Sequence, residues 1–309
     1  MILVCGEALF DVFLKDEDAG SHIVFDAAPG GSPFNVAIGL ARLGRPTGFF
    51  SGLSRDLFGR RLQTMLAREQ IDASHCVLTE APTTLAFVEI GRNGAARYAF
   101  RGDGAADRMI AASDLPAPGA DVRALVFGSY STVVAPAGDS LLALAEREKE
   151  RRVIIYDPNV RLGVVSDPDA WRARFDAFAE TATILKLSEE DLAILAPGAA
   201  AADFARAALA QGVALVVVTR GGEGCVAFGP FGETRAPAAA GAVLDTIGAG
   251  DAVTAALIAR LDERGLLDPL ALRMLDRDQA ADALGFAIRA AAITCGRRGA
   301  DMPRRAELG

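Results

Sequence analysis

Six short apolar runs, at residues 2–5, 47–51, 124–127, 153–156, 183–187 and 214–219, recur along the chain with longer segments between them. Each is long enough for a buried strand and far short of the roughly 20 apolar residues that span a bilayer. The last overlaps Val213-Ala214-Leu215-Val216-Val217-Val218, which carries no polar side chain on either face. A strand tolerates that only when both faces of its sheet are covered. Between the runs the apolar spacing changes. Phe34, Ala37, Ile38 and Ala41 recur at i, i+3, i+4 and i+7, with Ser32 as the expected N-cap and Gly44 as a stop. Similar patterns predict helices near 57–69, 137–150, 170–179, 202–211, 252–260 and 279–294. Strands alternating with helices imply an α/β fold, a mostly parallel sheet flanked by helices on both faces.

The 309 residues, 51% hydrophobic and 23% charged, can bury a substantial core, and the alternation reads as a single domain over 1–309. One region departs from the rhythm. Extended runs at 84–91 and 95–101 flank Asn93-Gly94, a hairpin signal, and a second extended stretch covers 11–26. Together they predict a small β-lid inserted from 11–26 and 84–101.

A net charge of -8, with no long Lys/Arg run, argues against nucleic acid or an anionic membrane as partner. The opening Met1-Ile2-Leu3-Val4-Cys5-Gly6 lacks a basic segment and is soon followed by Glu7 and Asp11, so it reads as a first strand instead of a signal peptide. Cys5, Cys76, Cys225 and Cys295 form no CxxC pair and suggest reduced thiols in the cytoplasm.

Two segments point to chemistry. Asp245-Thr246-Ile247-Gly248-Ala249-Gly250-Asp251 runs into the apolar helix Ala252-Val253-Thr254-Ala255-Ala256-Leu257. Glycines at a helix mouth leave backbone N–H groups open to an anion, and the helix dipole adds positive potential there. Asp251, in the first turn, can take a proton from an attacking hydroxyl. The second segment, Gly30-Gly31-Ser32-Pro33-Phe34-Asn35-Val36-Ala37, again sets glycines before a helix, and its Asn35 can donate and accept hydrogen bonds to a polyol.

From Gly30 through Val36-Ala37-Ile38-Gly39-Leu40-Ala41-Arg42-Leu43-Gly44, this second segment resembles the N-terminal signature of the ribokinase-like (pfkB) carbohydrate kinases. The Asp245 to Asp251 segment resembles their C-terminal signature. The likeness extends to Gly6-Glu7-Ala8-Leu9-Phe10-Asp11, to Asp157-Pro158-Asn159-Val160-Arg161 and to Thr219-Arg220-Gly221-Gly222-Glu223-Gly224. Gly6-Glu7 and Thr83-Thr84-Leu85-Ala86-Phe87-Val88 are most similar to bacterial fructokinases.

The resemblance implies an ATP-dependent sugar kinase, with D-fructose converted to fructose 6-phosphate as the first expectation. Alternatives are 2-keto-3-deoxygluconate, ribose or a nucleoside as substrate, or a sugar-sensing protein without catalysis. It implies Asp251 as base, Gly248, Ala249 and Gly250 as anion hole, and Arg161 against the transferring phosphate. Asp11, Gly30, Gly31, Asn35, Phe100, Arg101 and Asn159 would hold the sugar. Lys186, Ser188, Thr219, Gly221, Gly222 and Gly224 would lie along the nucleotide. Mg²⁺ is expected with ATP. Many relatives carry Asn-x-x-Glu near the metal, where this chain has Ser188-Glu189-Glu190-Asp191, so Glu189 and Asp191 are the expected ligands, acting through water. A K⁺ ion would sit on backbone carbonyls at Asp245, Ile247 and the 295–300 turn.

Other enzyme classes lack their residues. Gly222-Glu223-Gly224-Cys225-Val226-Ala227 fits a dinucleotide loop, but the residues after it read as a strand and not as a helix. No Gly-Lys pair exists for a P-loop, and His22 and His75 are the only histidines. The lid strand 84–91 is apolar on both faces, Ala86, Val88 and Ile90 on one and Leu85 and Phe87 on the other. One face can cover the sugar, and the other predicts a homodimer formed lid to lid.

Overall fold

A computed structural model describes residues 1–16, 22–90 and 96–309; the Asn93-Gly94 turn lies outside them. In chain order the strands are β1 (Ile2–Cys5), β2 (Leu9–Asp16), β3 (Val24–Gly30), β4 (Thr47–Phe50), β5 (Gly52–Ser54), β6 (Val77–Thr79), β7 (Leu85–Ile90), β8 (Ala96–Arg101), β9 (Ala124–Gly128), β10 (Val153–Asp157), β11 (Ile184–Ser188), β12 (Leu215–Thr219), β13 (Cys225–Gly229) and β14 (Gly232–Ala236). The helices are α1 (Ser32–Arg42), α2 (Leu57–Arg68), α3 (Ala137–Glu148), α4 (Pro168–Ala179), α5 (Glu189–Leu195), α6 (Ala201–Ala210), α7 (Ala249–Glu263), α8 (Pro269–Arg273) and α9 (Arg277–Cys295).

The main sheet runs β14-β13-β12-β11-β10-β9-β1-β4. Neighbours from β12 to β4 are parallel, and only the β12–β13 and β13–β14 pairs are antiparallel. Both faces are dry. Val4, Ile155 and Val217 pack into one core, while Leu3, Ile154 and Val216, one residue away on the same strands, pack into the other. That alternation explains why the strands read as apolar runs: neither face meets water. The segment Cys225–Gly229 is a strand, so no helix opens on Gly222-Glu223-Gly224. Strands β5, β6 and β14 and helices α5 and α8 were not expected from the sequence; most are too short to express a period.

The order of the sheet reverses beside β1, which has β4 on one side and β9 on the other. Loops leaving the carboxyl ends of β1 and β9 therefore diverge and leave a crevice. Helices α1 and α7 close it from one face. They cross tightly, because Gly39 meets Ala255 where a methyl on residue 39 would lie 2.7 Å from the Ala255 Cβ. This close approach brings both helix N-termini to one place.

The lid is a separate sheet of order β3-β2-β7-β8. Strands β2 and β7 pair in parallel, and β3 and β8 flank them antiparallel. Ala86 and Val88 are buried, while Leu85 and Phe87 are half-exposed, matching the expected two faces. The side chain of Ile90 lies outside the described residues.

Candidate active site

Two adjoining cavities occupy the crevice. The first, about 390 Å³, lies under the lid, with Asp11, Gly31, Asn35 and Phe100 on one side and Ile247, Gly248 and Asp251 on the other. The second, about 520 Å³, lies beside β11 and β12 and is lined by Lys186, Ser188, Asp191, Thr219, Gly221, Gly222, Gly224 and Ala249. Asn159, Arg161, Thr246 and Gly250 line both, so the cavities meet where Arg161 faces the start of α7.

Asp251 is 7% exposed. Its Oδ1 accepts the Ser32 hydroxyl at 2.6 Å and its Oδ2 accepts the Asn35 amide at 2.8 Å. Both donors come from the first turns of α1, so one helix fixes the carboxylate that the other presents. Here the structure corrects an expectation: Gly31, not Ser32, is the N-cap of α1, and Ser32 holds Asp251 in place of capping. Asn35 serves Asp251 as well as facing the sugar side. The N-cap of α7 is Gly248 at φ 78, a left-handed conformation that strains any residue with a side chain. The backbone there packs against Ala300, and a Cβ on residue 248 would lie 2.5 Å from the Ala300 methyl.

Lys186 sits beneath this helix start. Its ammonium donates to Asp157 Oδ2 at 2.8 Å, and the Thr254 hydroxyl donates to the same oxygen at 2.9 Å. Burial works to lower its pKa, but Asp157, Asp191 and Asp251 together raise it, so the ammonium stays charged. A methyl built on Gly250 would lie 3.2 Å from Lys186 Nζ, which puts the positive charge directly behind the α7 N-terminus.

Asp11 reaches the first cavity from β2. Burial pushes its carboxyl up to about 6, with Arg161 pulling it down and Asp251 adding to the rise. Gly30 lies outside the lining but backs Asp11, since a side chain at position 30 would strike Asp11 Oδ2 at 2.2 Å. Arg101 is exposed and outside the lining. It follows Phe100, so it points to the opposite face of β8, and its guanidinium donates to the Phe100 carbonyl at 3.2 Å.

The expected metal ligands are differently placed from one another. Glu189 points outward and pairs with Arg220 at 2.8 Å. Asp191 Oδ1 accepts the Val160 N–H at 2.8 Å, and its Oδ2 accepts the Ser188 N–H at 3.0 Å and the Ser188 hydroxyl at 2.8 Å. Those bonds form a capping box that fixes α5. Glu190, overlooked in the sequence, lines the second cavity instead. Among the described residues no group of three or more His, Cys, Asp or Glu could hold a metal alone. This donor set suits a Mg²⁺ ion carried mostly by waters and phosphates. Asp245 uses its carboxylate internally, accepting Ile247 N–H at 3.0 Å and Gly299 N–H at 2.8 Å. It thereby joins the two loops expected around K⁺. The Cys295 carbonyl already accepts Leu244 and Asp245 N–H groups at 2.8 and 3.1 Å, so the carbonyls open to an ion lie elsewhere in those loops.

Sequence reasoning also missed Leu9, Tyr130 and the role of Glu7. Glu7 is 1% exposed, and burial pushes its carboxyl up to about 7. Its position inside the Gly6-Glu7 likeness was the one available signal.

The profile of the pfkB family carbohydrate kinase matches residues 1–306. A fructokinase of Rhizobium leguminosarum bv. trifolii is 40% identical over 276 residues, 89% of this chain and 84% of its own. The fold is similar to that of a Xylella fastidiosa fructokinase with bound ATP, with TM-score 0.89, 26% identity and coverage of 99% of this chain and 96% of that one. It is also similar to a fructokinase double mutant from Vibrio cholerae O395 in fructose, ADP and potassium ion bound form, with TM-score 0.85, 28% identity and the same coverages. With two glycine-led helix starts meeting on one buried carboxylate, and that match over nearly its whole length, the chain belongs to the pfkB family of carbohydrate kinases.

Proposed function

We propose that this protein is an ATP-dependent fructokinase that phosphorylates the primary hydroxyl of D-fructose to give fructose 6-phosphate. The observation that carries the reading is Asp251, held by Ser32 and Asn35 where the two cavities meet. Fructose lies under the lid against Asp11, Asn35 and Asn159; ATP lies along Thr219, Gly222 and Gly224 with its phosphates toward Gly250. The sugar hydroxyl gives its proton to Asp251, its oxygen bonds to the γ-phosphorus, and the bond to the ADP oxygen breaks. In a loose phosphoryl-transfer transition state positioning outweighs base strength, so a carboxylate fixed by two donors suits the task. The Ala249 N–H is already given to the Thr246 carbonyl at 3.2 Å, so the N–H groups at Gly248 and Gly250, the α7 dipole and Lys186 behind it face the charge on the moving phosphoryl group, and Arg161 approaches it from the other side. Glu190 and Asp191 would hold Mg²⁺ through water, and the ion would supply charge neutralisation on the phosphates. K⁺ on the carbonyls near Asp245 and Ile247 would fix the helix mouth. The protein works in the cytoplasm, as a homodimer joined through the lids.

The test is Asp251→Asn, which removes the proton acceptor and leaves the anion hole. We expect turnover to fall at least the roughly 10²–10⁴-fold attributed to a general base, with ATP affinity kept. Turnover near that of the unmodified enzyme would reject Asp251 as base.

A further inference from the structure

A buried polar cluster behind the sugar cavity belongs to neither signature segment. At its centre Asp107, 1% exposed, follows the lid in sequence. Its Oδ1 accepts the Thr84 hydroxyl at 2.6 Å and its Oδ2 accepts the Tyr130 hydroxyl at 2.7 Å. Thr84 stands at the root of the lid. It directly precedes β7, and its carbonyl accepts the Phe10 N–H of β2 at 3.1 Å. Tyr130 is a wall of the sugar cavity, and its ring faces Phe100 of the lid at 6.1 Å between centroids. The Arg108 guanidinium stacks over the same Tyr130 ring, 5.2 Å from its centroid.

The wall is strained. Ser129, just before Tyr130, has φ 57 and ψ -163, a region that residues with side chains seldom occupy. Such a conformation persists only where its surroundings over-determine it. Thr132 binds the Ser129 carbonyl through its N–H and its hydroxyl, at 3.1 and 2.7 Å, and Asp107 anchors the Tyr130 ring at its far end. Each of the two hydroxyls has a single hydrogen, and both give it to Asp107. Thr84 itself lines neither cavity, so loss of its hydroxyl cannot act by direct contact with a sugar.

We propose that Asp107 is a positioning residue for phosphoryl transfer, locking the root of the lid to the Tyr130 wall so that sugar and lid are held in one register. This rests on the assignment of the lid-side cavity to the sugar. A carboxylate is the group for the place, because it offers two acceptor oxygens and no hydrogen that would need a partner of its own.

Steady-state kinetics of the full chain test it, using Thr84→Val and Tyr130→Phe, which keep shape and lose one hydroxyl each, beside Asp107→Asn, which risks failing to fold. The panel is D-fructose, 2-keto-3-deoxygluconate, ribose and a nucleoside, and the sugar that the unmodified enzyme phosphorylates fastest is the one compared. Each single variant should raise the KM for that sugar by about tenfold, as expected for one hydrogen bond to a buried carboxylate, with the KM for ATP within about twofold. The double variant should lose less than the product of the singles, because one carboxylate links them. A folded Thr84→Val enzyme whose sugar KM stays within about twofold of the unmodified value would overturn the proposal, even if its melting temperature falls. A preference for a sugar other than fructose would overturn the fructose assignment alone, since the ratio of variant to unmodified enzyme still decides the role of Asp107.

Discussion

Asp251 and Asp11 face the same cavity from unlike halves of the molecule. Asp251 stands on α7, a helix buried over most of its length between α1 and α9, and two side chains of α1 hold its oxygens. Asp11 stands on a lid strand whose neighbour β3 is largely exposed, and it shares its cavity with Arg161, whose charge acts on it. The difference separates two tasks. Groups that must meet phosphoryl-transfer geometry rest on the main sheet and its packed helices, where a misplacement of an ångström is costly. Groups proposed to meet the sugar are shared with the lid, a separate sheet.

Breaking the rigid half should do the most harm. Gly248→Val adds a branched side chain where φ is 78 and where even a methyl would overlap Ala300. The anion-hole N–H groups should then be misdirected, and kcat should fall by about 10²–10³-fold, the scale of a lost oxyanion donor. Steady-state assays on the folded protein check this, and unchanged kcat would mean the backbone there does not face the reacting group.

A smaller effect belongs to the junction of sheet and lid. Glu7 sits at the end of β1, and its folded pKa, raised to about 7 by burial, lies above the ordinary carboxylate range. The folded state therefore holds a proton that the unfolded chain releases, and stability falls as pH rises from about 4.5 through 7. Glu7→Gln removes that penalty. Its advantage in melting temperature should be absent near pH 4.5 and grow to several degrees by pH 8, about 1–2 °C for each kcal/mol relieved in a chain of this length. Calorimetry across that range settles it, and a constant offset would show that ionisation of Glu7 is not the cause.

The least effect on turnover should come from the outer lid face. Phe25 of this face is 45% exposed and packs edge-on to Phe87 at 5.7 Å. Val88 points the other way and is 4% exposed, so Phe25 and Phe87, not Val88, mark the expected contact between subunits. Phe25→Glu should convert a dimer to a 32 kDa species in sedimentation with kcat within about twofold. A monomeric unmodified protein would remove the dimer from the account.

The same division governs what the sequence made legible. The main sheet was readable because its strands are dry on both faces, and the Gly248 helix mouth stood out through its resemblance to a family signature, since glycine before a helix is common by itself. Asp251 and Asn35 could be named, but not that Asn35 and Ser32 bind Asp251, since the contact depends on the Gly39–Ala255 crossing of two helices far apart in the chain. Tyr130 and Asp107 left no local signal, because a tyrosine after a strand and an aspartate after a hairpin look like ordinary loop residues until the lid folds over them. Arg101, expected at the sugar from the resemblance, lies outside the cavity lining because it alternates with Phe100 along β8.

The central claim, transfer from ATP to a ketohexose under the lid, is tested most directly by comparing kcat/KM of the unmodified enzyme for D-fructose, 2-keto-3-deoxygluconate, ribose and a nucleoside, with ADP release and sugar phosphate both followed. The account predicts the highest value for fructose, one ADP for each fructose 6-phosphate formed. A clear preference for any of the other three, or fructose bound without ADP release, would contradict it.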